Sequence, residues 1–199
     1  MSWLEDNFSR LESDLVSPVS RISAYHDLPF AVFQYDPREE FAFRQRLRLL
    51  GFSLEQNHSK RVKYVSLSRL VWKAIQETEG LESIVKIEKL RGFDAAEATV
   101  NQLISSPEFQ PINAELAREL DGLDPTIDIA FLVRAAVFAP AIFRCSTLLE
   151  AMHKRTMVPL ILFYPGALEG GTNLRFMNMP ESETGHSPTY RVKIYGHES

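Results

Sequence analysis

Arginines that follow an apolar run are the first residues in this sequence that could do binding chemistry. Arg134 comes directly after 127–133, a nearly continuous apolar segment, and Arg144 follows further along the chain. A guanidinium group can hold a carboxylate or a phosphate through two parallel hydrogen bonds. Ligands of α/β sheets bind beyond the carboxyl ends of the strands, which is where Arg134 is expected. The alternative is a structural salt bridge, with Asp36 or Glu150 as the acidic partner.

A second candidate segment lies at the end of the apolar run 159–164. Tyr164, Pro165 and Gly166 stand where this run ends, and a glycine pair follows at 170–171. Because glycine lacks a side chain, such a segment leaves room for the backbone of a partner chain. An ordinary turn into the next strand explains the same residues equally well.

A third candidate is a group of basic residues in the first third of the chain. Its members are Arg38, Arg44, Arg48, Lys60, Arg61 and Lys63. Arg44 and Arg48 share one helix face by their i, i+4 spacing, and a basic patch with aromatic neighbours could contact nucleic acid. The formal net charge of −4 and the acidic residues nearby instead favour a solvated surface.

No phosphate-binding loop follows the first predicted strand, 30–35. The turn after it, 35–40, has no glycine, contains three carboxylates, and loses a backbone donor at Pro37. A phosphate site needs glycines that expose backbone N–H groups and a lysine that meets the charge. Neither a Walker-type nor a dinucleotide-type glycine motif occurs elsewhere. We therefore predict no nucleotide cofactor of the ordinary kind.

Metal and nucleophile sites are not indicated either. The five histidines are dispersed, and a single cysteine excludes zinc-finger spacing. Cys145 lies in an apolar helical segment, where cysteine usually serves packing. Since no nucleophile-elbow motif (G-x-S-x-G) occurs, we predict no catalytic residues and no enzyme activity.

The strands that must position these residues are predicted from runs of apolar or alternating residues. They cover 30–35, 62–67, 127–133, 159–164, 173–177 and 190–195. The apolar runs 127–133 and 159–164 are typical of central strands buried on both faces. The last two segments alternate apolar and polar residues, which favours an antiparallel pair at a sheet edge.

Helical patterns separate the first strands. A helix starting near Pro37 is capped by Asp36, and another is expected to be capped by Ser68. A further helix is predicted over 140–154, and Pro165 with Gly166 is expected to stop the fourth strand. The region 81–123 lacks the apolar or alternating runs that are typical of strands. We predict that it forms a helical insertion, with helices that start at Asp94 and Ser106.

These elements predict one α/β domain over residues 1–199. The expected architecture is a three-layer sheet with parallel core strands, antiparallel C-terminal edge strands and the helical insertion 81–123. The acidic N-terminal residues do not resemble a signal peptide, and the apolar stretch 157–165 is too short for a membrane helix. We therefore expect a cytoplasmic protein that does not contact a membrane.

The C-terminal third resembles the BrxB family of the bacteriophage exclusion (BREX) systems. The resemblance is specific from about Asp128 to Tyr195 and loose before that. Its motifs are Phe131-Leu132-Val133-Arg134, Arg144 with Leu148-Leu149, Val158 to Gly166, Leu174-Arg175-Phe176, and Tyr190 to Tyr195. Independently of this resemblance, the strand and turn from Phe30 to Asp36 predict a sheet that is P-loop-like in layout but lacks a phosphate loop.

The resemblance implies a non-catalytic accessory protein needed for host DNA methylation and phage restriction. A PglZ-type, alkaline-phosphatase-like protein is the implied direct partner, together with other BREX components. The candidate interface or ligand positions are Arg134, Arg144, Tyr164, Pro165, Gly166, Arg175, Tyr190 and Arg191. We expect docking through the exposed edge strand and the surface near Arg134 and Tyr164. A nucleic-acid-binding module and an atypical nucleotide binder using Arg134 and Arg144 remain as alternatives.

Overall fold

The chain alternates strands and helices along most of its length. The computed structural model describes residues 3–17, 22, 28–140, 142–153, 155–170, 173–180 and 192–197. The helices are α1 (Trp3–Val16), α2 (Glu40–His58), α3 (Leu67–Glu77), α4 (Leu81–Arg91), α5 (Phe93–Ser105), α6 (Ile112–Leu120) and α7 (Cys145–Met152). The strands are β1 (Phe30–Tyr35), β2 (Arg61–Ser66), β3 (Asp128–Val133), β4 (Leu160–Glu169), β5 (Asn173–Phe176) and β6 (Lys193–Tyr195).

A parallel sheet forms the centre of the molecule, with the strand order β2-β3-β4-β1-β6. Val32 of β1 is in register with Leu162 of β4 on one side and with Ile194 of β6 on the other. Helices cover both faces of this sheet, so β1, β3 and β4 have almost no polar face. The predicted α/β fold with parallel core strands is confirmed.

Alternate side chains of each strand enter two separate cores. Phe33, Phe131 and Phe163 pack with α1 and α2 on one face of the sheet. Val32 and Leu162 belong to the core on the opposite face, which α3 to α7 cover. The region 81–123 forms α4, α5 and α6, as predicted, and completes this second helical layer. The result is a helix-sheet-helix arrangement of three layers.

The predicted antiparallel pairing of 173–177 with 190–195 is wrong. Instead, β5 runs antiparallel to the last residues of β4, and Leu174 faces Leu168 across this hairpin. The strand β6 is parallel to β1 at the sheet edge. Alternation of polar and apolar residues indicates a strand with one wet face, but it does not specify the neighbouring strand. Tyr190 and Arg191 lie outside the described residues.

Three predicted boundaries also change. Pro165 and Gly166 do not stop the fourth strand, which continues to Glu169 because β5 pairs with it beyond the end of its contact with β3. Ser66 rather than Ser68 caps α3, since the Ser66 hydroxyl accepts a hydrogen bond from the Arg69 N–H (3.4 Å). The helix predicted over 140–154 begins later and is shorter, since it corresponds to α7 (Cys145–Met152), and a 3-10 turn (Ala135–Phe138) precedes the predicted range.

The helix starts expected within the insertion shift as well. The helix α5 begins at Phe93 rather than Asp94, and α6 begins at Ile112, several residues after the turn at Ser106. Pro111 directly precedes α6, where its fixed backbone angle suits a helix start. No helix in the described part of the chain is both long and apolar enough to cross a lipid bilayer.

Candidate functional site

The turn after β1 is built around a capping aspartate rather than a phosphate cradle. The Asp36 carboxylate accepts a hydrogen bond from the Arg38 N–H (2.9 Å) and lies 3.3 Å from the Arg38 guanidinium. Pro37 opens the 3-10 turn Pro37–Glu39, which leads directly into α2. Because the donor at this turn is already bonded to a carboxylate, the turn offers little to a phosphate group.

A basic groove opens between α2 and the carboxyl ends of β2 and β3. Its volume is about 300 Å³, and its lining residues are Glu40, Phe43, Arg44, Leu47, Arg48, Tyr64, Val133 and Arg134. The groove is lined by residues that the sequence analysis assigned to two separate candidate sites. Arg134 was the strand-end candidate, whereas Arg44 and Arg48 belonged to the predicted nucleic-acid patch. Only the crossing of α2 over the sheet brings these three guanidinium groups together.

The arginines of the basic groove differ in whether an acidic side chain pairs with them. Arg44 donates to the Glu40 carboxylate (2.6 Å), which also accepts the hydroxyl hydrogen of Tyr35 (2.5 Å). Burial and the neighbouring Glu40 charge raise the pKa of Tyr35, so this tyrosine remains a neutral donor. Arg48 and Arg134 are exposed and form no ion pair with any described residue. Two guanidinium groups are therefore available to an anionic partner.

Tyr64 forms one wall of the basic groove. Its ring packs edge-on against Phe131, with 5.6 Å between ring centroids, and its hydroxyl donates to the Leu47 carbonyl oxygen (3.4 Å). Burial and Glu55 raise the pKa of this hydroxyl, whereas the Arg48 charge lowers it. A Cβ at Gly51 of α2 would collide with the Tyr64 hydroxyl, so this glycine permits the close packing.

Arg134 is held in a backbone conformation that residues other than glycine rarely adopt. Its φ of 63° and ψ of 39° lie in the left-handed region, where an ordinary residue loses roughly 1 kcal/mol. The flanking residues Val133 and Ala135 are fixed in β3 and in the buried start of the 3-10 turn. Strain of this kind concentrates at functional sites, where the surrounding fold maintains it.

An exposed apolar surface on α2 lies beside the basic groove. Phe41 is 85% exposed, Leu49 54% and Phe52 64%. Their spacing along the helix places Phe41, Arg48 and Phe52 on one outward face. Large aromatic side chains that remain in water are uncommon, and a contiguous group of them is typical of a protein-binding surface.

Arg144 does not join Arg134. It occupies the N-cap position of α7 and does not line the basic groove. Neither arginine pairs with Asp36 or Glu150, which were the expected partners in the structural alternative. The predicted combination of Arg134 with Arg144 is therefore not a single binding site in the structure.

Tyr164 and Pro165 are buried within the sheet. Tyr164 is 2% exposed, and its hydroxyl donates to the Leu174 carbonyl oxygen (3.2 Å). The carbonyl oxygen of Pro165 accepts a hydrogen bond from the Met177 N–H (2.9 Å). These two residues hold β5 against β4, so a partner protein would reach them only through a rearrangement.

A larger opening, here called the strand-end cavity, lies at the carboxyl ends of β1 and β4. It measures about 550 Å³ and is lined by Trp3, Gln34, Asp36, Arg38, Glu39, Gly166, Ala167, Arg175, Asn178 and His197. Gly166 and Arg175 were both interface candidates, and Arg38 was assigned to the nucleic-acid patch. The position matches the place where ligands bind to open α/β sheets.

The floor of the strand-end cavity is tied together by a buried glutamine. The Gln34 side chain donates to the Gly166 carbonyl oxygen (2.7 Å) and accepts from the His197 N–H (3.1 Å). A Cβ at Gly166 would collide with the Arg175 carbonyl oxygen. The backbones of β1, β4, β5 and the segment after β6 therefore meet here at close range.

Three residues of the cavity wall each have one polar side-chain atom that is shielded from solvent and has no hydrogen-bond partner among the described residues. These atoms are Glu39 Oε2, Arg175 Nε and Asn178 Oδ1. Nearly all buried polar atoms in proteins are hydrogen-bonded, and an orphan costs about 1–3 kcal/mol. Sequence reasoning missed Glu39 and Asn178, because no motif in the sequence marks either residue.

The remaining members of the predicted nucleic-acid patch lie on the β2 edge, defined by Lys60, Arg61 and Lys63. Arg61 donates two hydrogen bonds to the buried carboxylate of Asp128 (2.6 and 2.7 Å). Lys63 lies 2.9 Å from Glu119, and the Lys60 ammonium donates to a backbone carbonyl oxygen (2.9 Å). The patch is thus divided among the β2 edge, the basic groove and the strand-end cavity.

The basic residues of the β2 edge also lower the pKa values of the carboxylates that they contact. Hydrogen bonds from Arg61 hold the pKa of Asp128 below its usual range, and Lys63 does the same for Glu119. Each carboxylate is therefore stabilised in its charged form by the fold.

Groups that could perform redox, nucleophilic or metal chemistry are not assembled in the described part of the chain. Cys145 is buried, and burial raises the pKa of its thiol to about 12, which disfavours the reactive thiolate. No three His, Cys, Asp or Glu side chains among the described residues are grouped to hold a metal ion.

Comparison with known proteins identifies the family. The family described as BREX protein BrxB matches residues 63–193, which is well over half of the chain. The chain belongs to the BrxB family. The BREX protein BrxB of Bacillus cereus (strain H3081.97) is 24% identical over 146 residues, covering 73% of this chain and 74% of that protein. No solved structure matches the chain.

Membership of the BrxB family makes this chain a component of a BREX phage-defence system, and it implies that other BREX components are its partners. The match begins within β2 and extends to β6. It therefore includes Tyr64 and Arg134 of the basic groove, whereas Arg44 and Arg48 precede it.

Proposed function

We propose that this chain is a non-catalytic adaptor of a BREX assembly that binds the PglZ-type phosphatase-like component. The observation that carries the proposal is the basic groove, where Arg48 and Arg134, which have no ion-pair partner among the described residues, lie beside an exposed aromatic helix face. Membership of the family supplies the class of partners, and the BREX setting supports the choice of the PglZ-type protein.

The surface suits a partner that presents an acidic segment next to an apolar one. Arg48 and Arg134 would each hold a carboxylate through paired hydrogen bonds, which determines the orientation of the partner. Burial of Phe41 and Phe52 would supply most of the affinity, because large aromatic side chains dominate the energetics of interfaces. The basic groove and this face of α2 together form one continuous docking surface.

The positions of the reactive groups support the non-catalytic part of the proposal. Cys145 is enclosed by apolar side chains, and the turn at Asp36 presents a carboxylate where a nucleotide enzyme would need a phosphate cradle. An adaptor requires neither group to react, and both are placed as parts of the fold.

The test is co-purification of the PglZ-type protein with a charge-reversed adaptor. The double variant Arg48→Glu with Arg134→Glu should recover at least tenfold less partner, because two attractive contacts become repulsive. Lys86→Glu with Lys89→Glu on α4 is the matched control, since it makes the same charge change at two exposed residues elsewhere. Equal recovery by the two double variants would show that the basic groove is not the docking surface.

Nucleic-acid binding is the second candidate function. The favouring observation is that Arg48 and Arg134 line the same groove as the half-exposed ring of Tyr64, a combination that can neutralise phosphates and stack a base. Band-shift assays with single-stranded DNA should then show binding that weakens between about 50 and 200 mM salt and is lost in the Arg48→Glu, Arg134→Glu variant. Absence of binding at low salt would remove this candidate.

A further inference from the structure

The strand-end cavity holds polar groups that neither the docking surface nor the fold uses. We propose that it binds the side chain of an arginine presented by a partner protein. This site would be a second contact, separate from the basic groove, and it depends on the proposed function only in assuming that the partner is a protein. The cavity volume of about 550 Å³ lies within the usual range of roughly 300–1,000 Å³ for ligand sites.

The charge balance of the cavity calls for a cation. Asp36 pairs with Arg38 (3.3 Å), and Arg175 pairs with Glu169 (3.2 Å). Glu39 forms no ion pair with any described residue, although one of its carboxylate oxygens is shielded from solvent. A carboxylate without an ion-pair partner attracts cations, so a positively charged group that enters the cavity would be stabilised there.

The unpartnered atoms narrow the choice of cation. Glu39 and Asn178 line the cavity, and each has an acceptor oxygen without a partner among the described residues, which a side-chain rotation would turn toward an N–H group of a ligand. Guanidinium is planar and carries five N–H donors, so it can bond several acceptors at once.

An aromatic wall adds a further reason to prefer guanidinium. Trp3 lines the cavity and stacks on His197, with 5.9 Å between ring centroids. An arginine side chain stacks on an indole face through cation-π attraction, which is strongest for tryptophan.

The backbone turn that carries Asn178 in the cavity wall is fixed by the fold in the absence of a partner. Met177 and Asn178 both have positive φ, 52° and 57°, in a tight turn closed by a hydrogen bond from the Met179 N–H to the Phe176 carbonyl oxygen (2.9 Å). Two successive left-handed residues that are not glycine are strained. The turn is anchored to β4 through Pro165, and it holds Asn178 at the cavity wall. Preorganisation of this kind lowers the entropy lost on binding.

A guanine base is the main competing ligand, because it also carries adjacent donors and an acceptor. It is neutral, however, and would leave the Glu39 charge uncompensated. The phosphates of a nucleotide would also lie near Asp36 and Glu39, which repel them. The chemistry of the cavity therefore favours the side chain of an arginine.

Fluorescence of Trp3 provides a direct test. The chain has two tryptophans, and the variant Trp72→Phe leaves Trp3 as the single reporter in the cavity wall. The probe is the peptide acetyl-Gly-Arg-Gly-amide, and its matched control replaces arginine with citrulline, which has nearly the same shape and no charge. We expect a saturable change with the arginine peptide and at least tenfold weaker binding of the citrulline peptide.

Two further variants separate binding from folding. In the Trp72→Phe background, Glu39→Gln should weaken binding of the arginine peptide at least tenfold without lowering the melting temperature. The control Glu82→Gln makes the same charge change at an exposed position on α4 and should bind as before. A substitution at Glu39 is not expected to unfold the chain, since one oxygen of this side chain has no partner in the part of the chain that the structure describes.

Several outcomes would overturn the inference: no response to the arginine peptide at millimolar concentration, equal binding of the citrulline peptide, unchanged binding by Glu39→Gln, or stronger binding of guanosine than of the arginine peptide. None of these outcomes bears on the basic groove, because the peptide assay contains no BREX partner. Loss of the PglZ-type protein after charge reversal of the basic groove would still support the adaptor role.

Discussion

The basic groove and the β2 edge carry similar numbers of positive charges but use them differently. On the β2 edge, Arg61 bonds the buried Asp128 and Lys63 bonds Glu119. In the basic groove, Arg48 and Arg134 have no acidic partner among the described residues. Arg48 and the residues of the β2 edge both lie in stretches that are basic in sequence, so composition alone does not distinguish them.

The difference teaches that a basic residue is informative only when its partner is known. A guanidinium that is bonded to a buried carboxylate mainly holds two strands in register, as Arg61 does between β2 and β3. A guanidinium without a partner, placed beside exposed aromatic rings, retains its capacity for a ligand. Substitutions on the β2 edge should therefore change stability, whereas substitutions in the basic groove should change binding.

The largest expected effect on stability comes from Asp128→Ala. The Asp128 carboxylate is buried and accepts hydrogen bonds from Arg61 and from the Asp124 N–H (2.7 Å). Loss of these bonds should lower the free energy of unfolding by about 2 kcal/mol. The ion pair with Arg61 contributes only a small part of this loss, because Arg61 is exposed to solvent. Urea denaturation measures the change, and the exposed Asp121→Ala should stay within about 0.5 kcal/mol of the parent chain.

The same ion pairs should make the free energy of unfolding depend on pH in the acidic range. The pKa values of Asp128 and Glu119 are lower in the folded chain than in the unfolded chain, so the unfolded chain takes up more protons as the pH falls. The stability that they contribute is present above their ordinary pKa values near 4 and is lost as the pH drops through the lower folded values. Denaturation curves from pH 6 down to pH 2.5 should show a steeper decline for the parent chain than for Asp128→Asn. Parallel declines would mean that the Arg61 pair does not contribute to acid sensitivity.

Arg134→Asn should move stability and binding in opposite directions. Asparagine tolerates the left-handed conformation better than arginine does, so the free energy of unfolding should rise by roughly 0.5 kcal/mol. Recovery of the PglZ-type protein should fall, because a guanidinium is lost from the basic groove. Thermal unfolding and co-purification measured on one protein preparation test both parts, and a loss of stability would indicate that Arg134 has a structural role.

The smallest effect is expected for Lys60→Ala on the β2 edge. The Lys60 ammonium makes one exposed hydrogen bond to the Thr126 carbonyl oxygen. We expect a change in the free energy of unfolding of less than about 0.5 kcal/mol and no change in partner recovery. Reduced recovery of the partner would extend the docking surface to this edge and would weaken the distinction between the two regions.

Much of the architecture was predictable from local patterns. Continuous apolar runs identified β3 and β4 because a strand covered on both faces has no polar positions. The absence of any strand signal over 81–123 correctly predicted a helical insertion. The partner of the C-terminal strand was not predictable, because pairing depends on which sheet edge remains open after the other strands have assembled.

The candidate sites were predictable only in part. Arg134 could be found because it follows an apolar run, and the structure places it at the carboxyl end of β3. Tyr164 was selected by the same reasoning, yet β5 covers it. Glu39 and Asn178 gave no signal, since an unpartnered polar atom is defined by what surrounds it in three dimensions.

The sequence by itself determined the class of fold, the lack of a phosphate loop after β1 and the family to which the chain belongs. These properties follow from short-range patterns: apolar periodicity, turn residues, and motifs along one segment. The tertiary structure alone decided which arginines lack an acidic partner among the described residues, where β5 and β6 lie, and how Glu39, Arg175 and Asn178 come to line one cavity. Such features arise from contacts between segments that are distant in the chain, and sequence spacing carries no information about those distances.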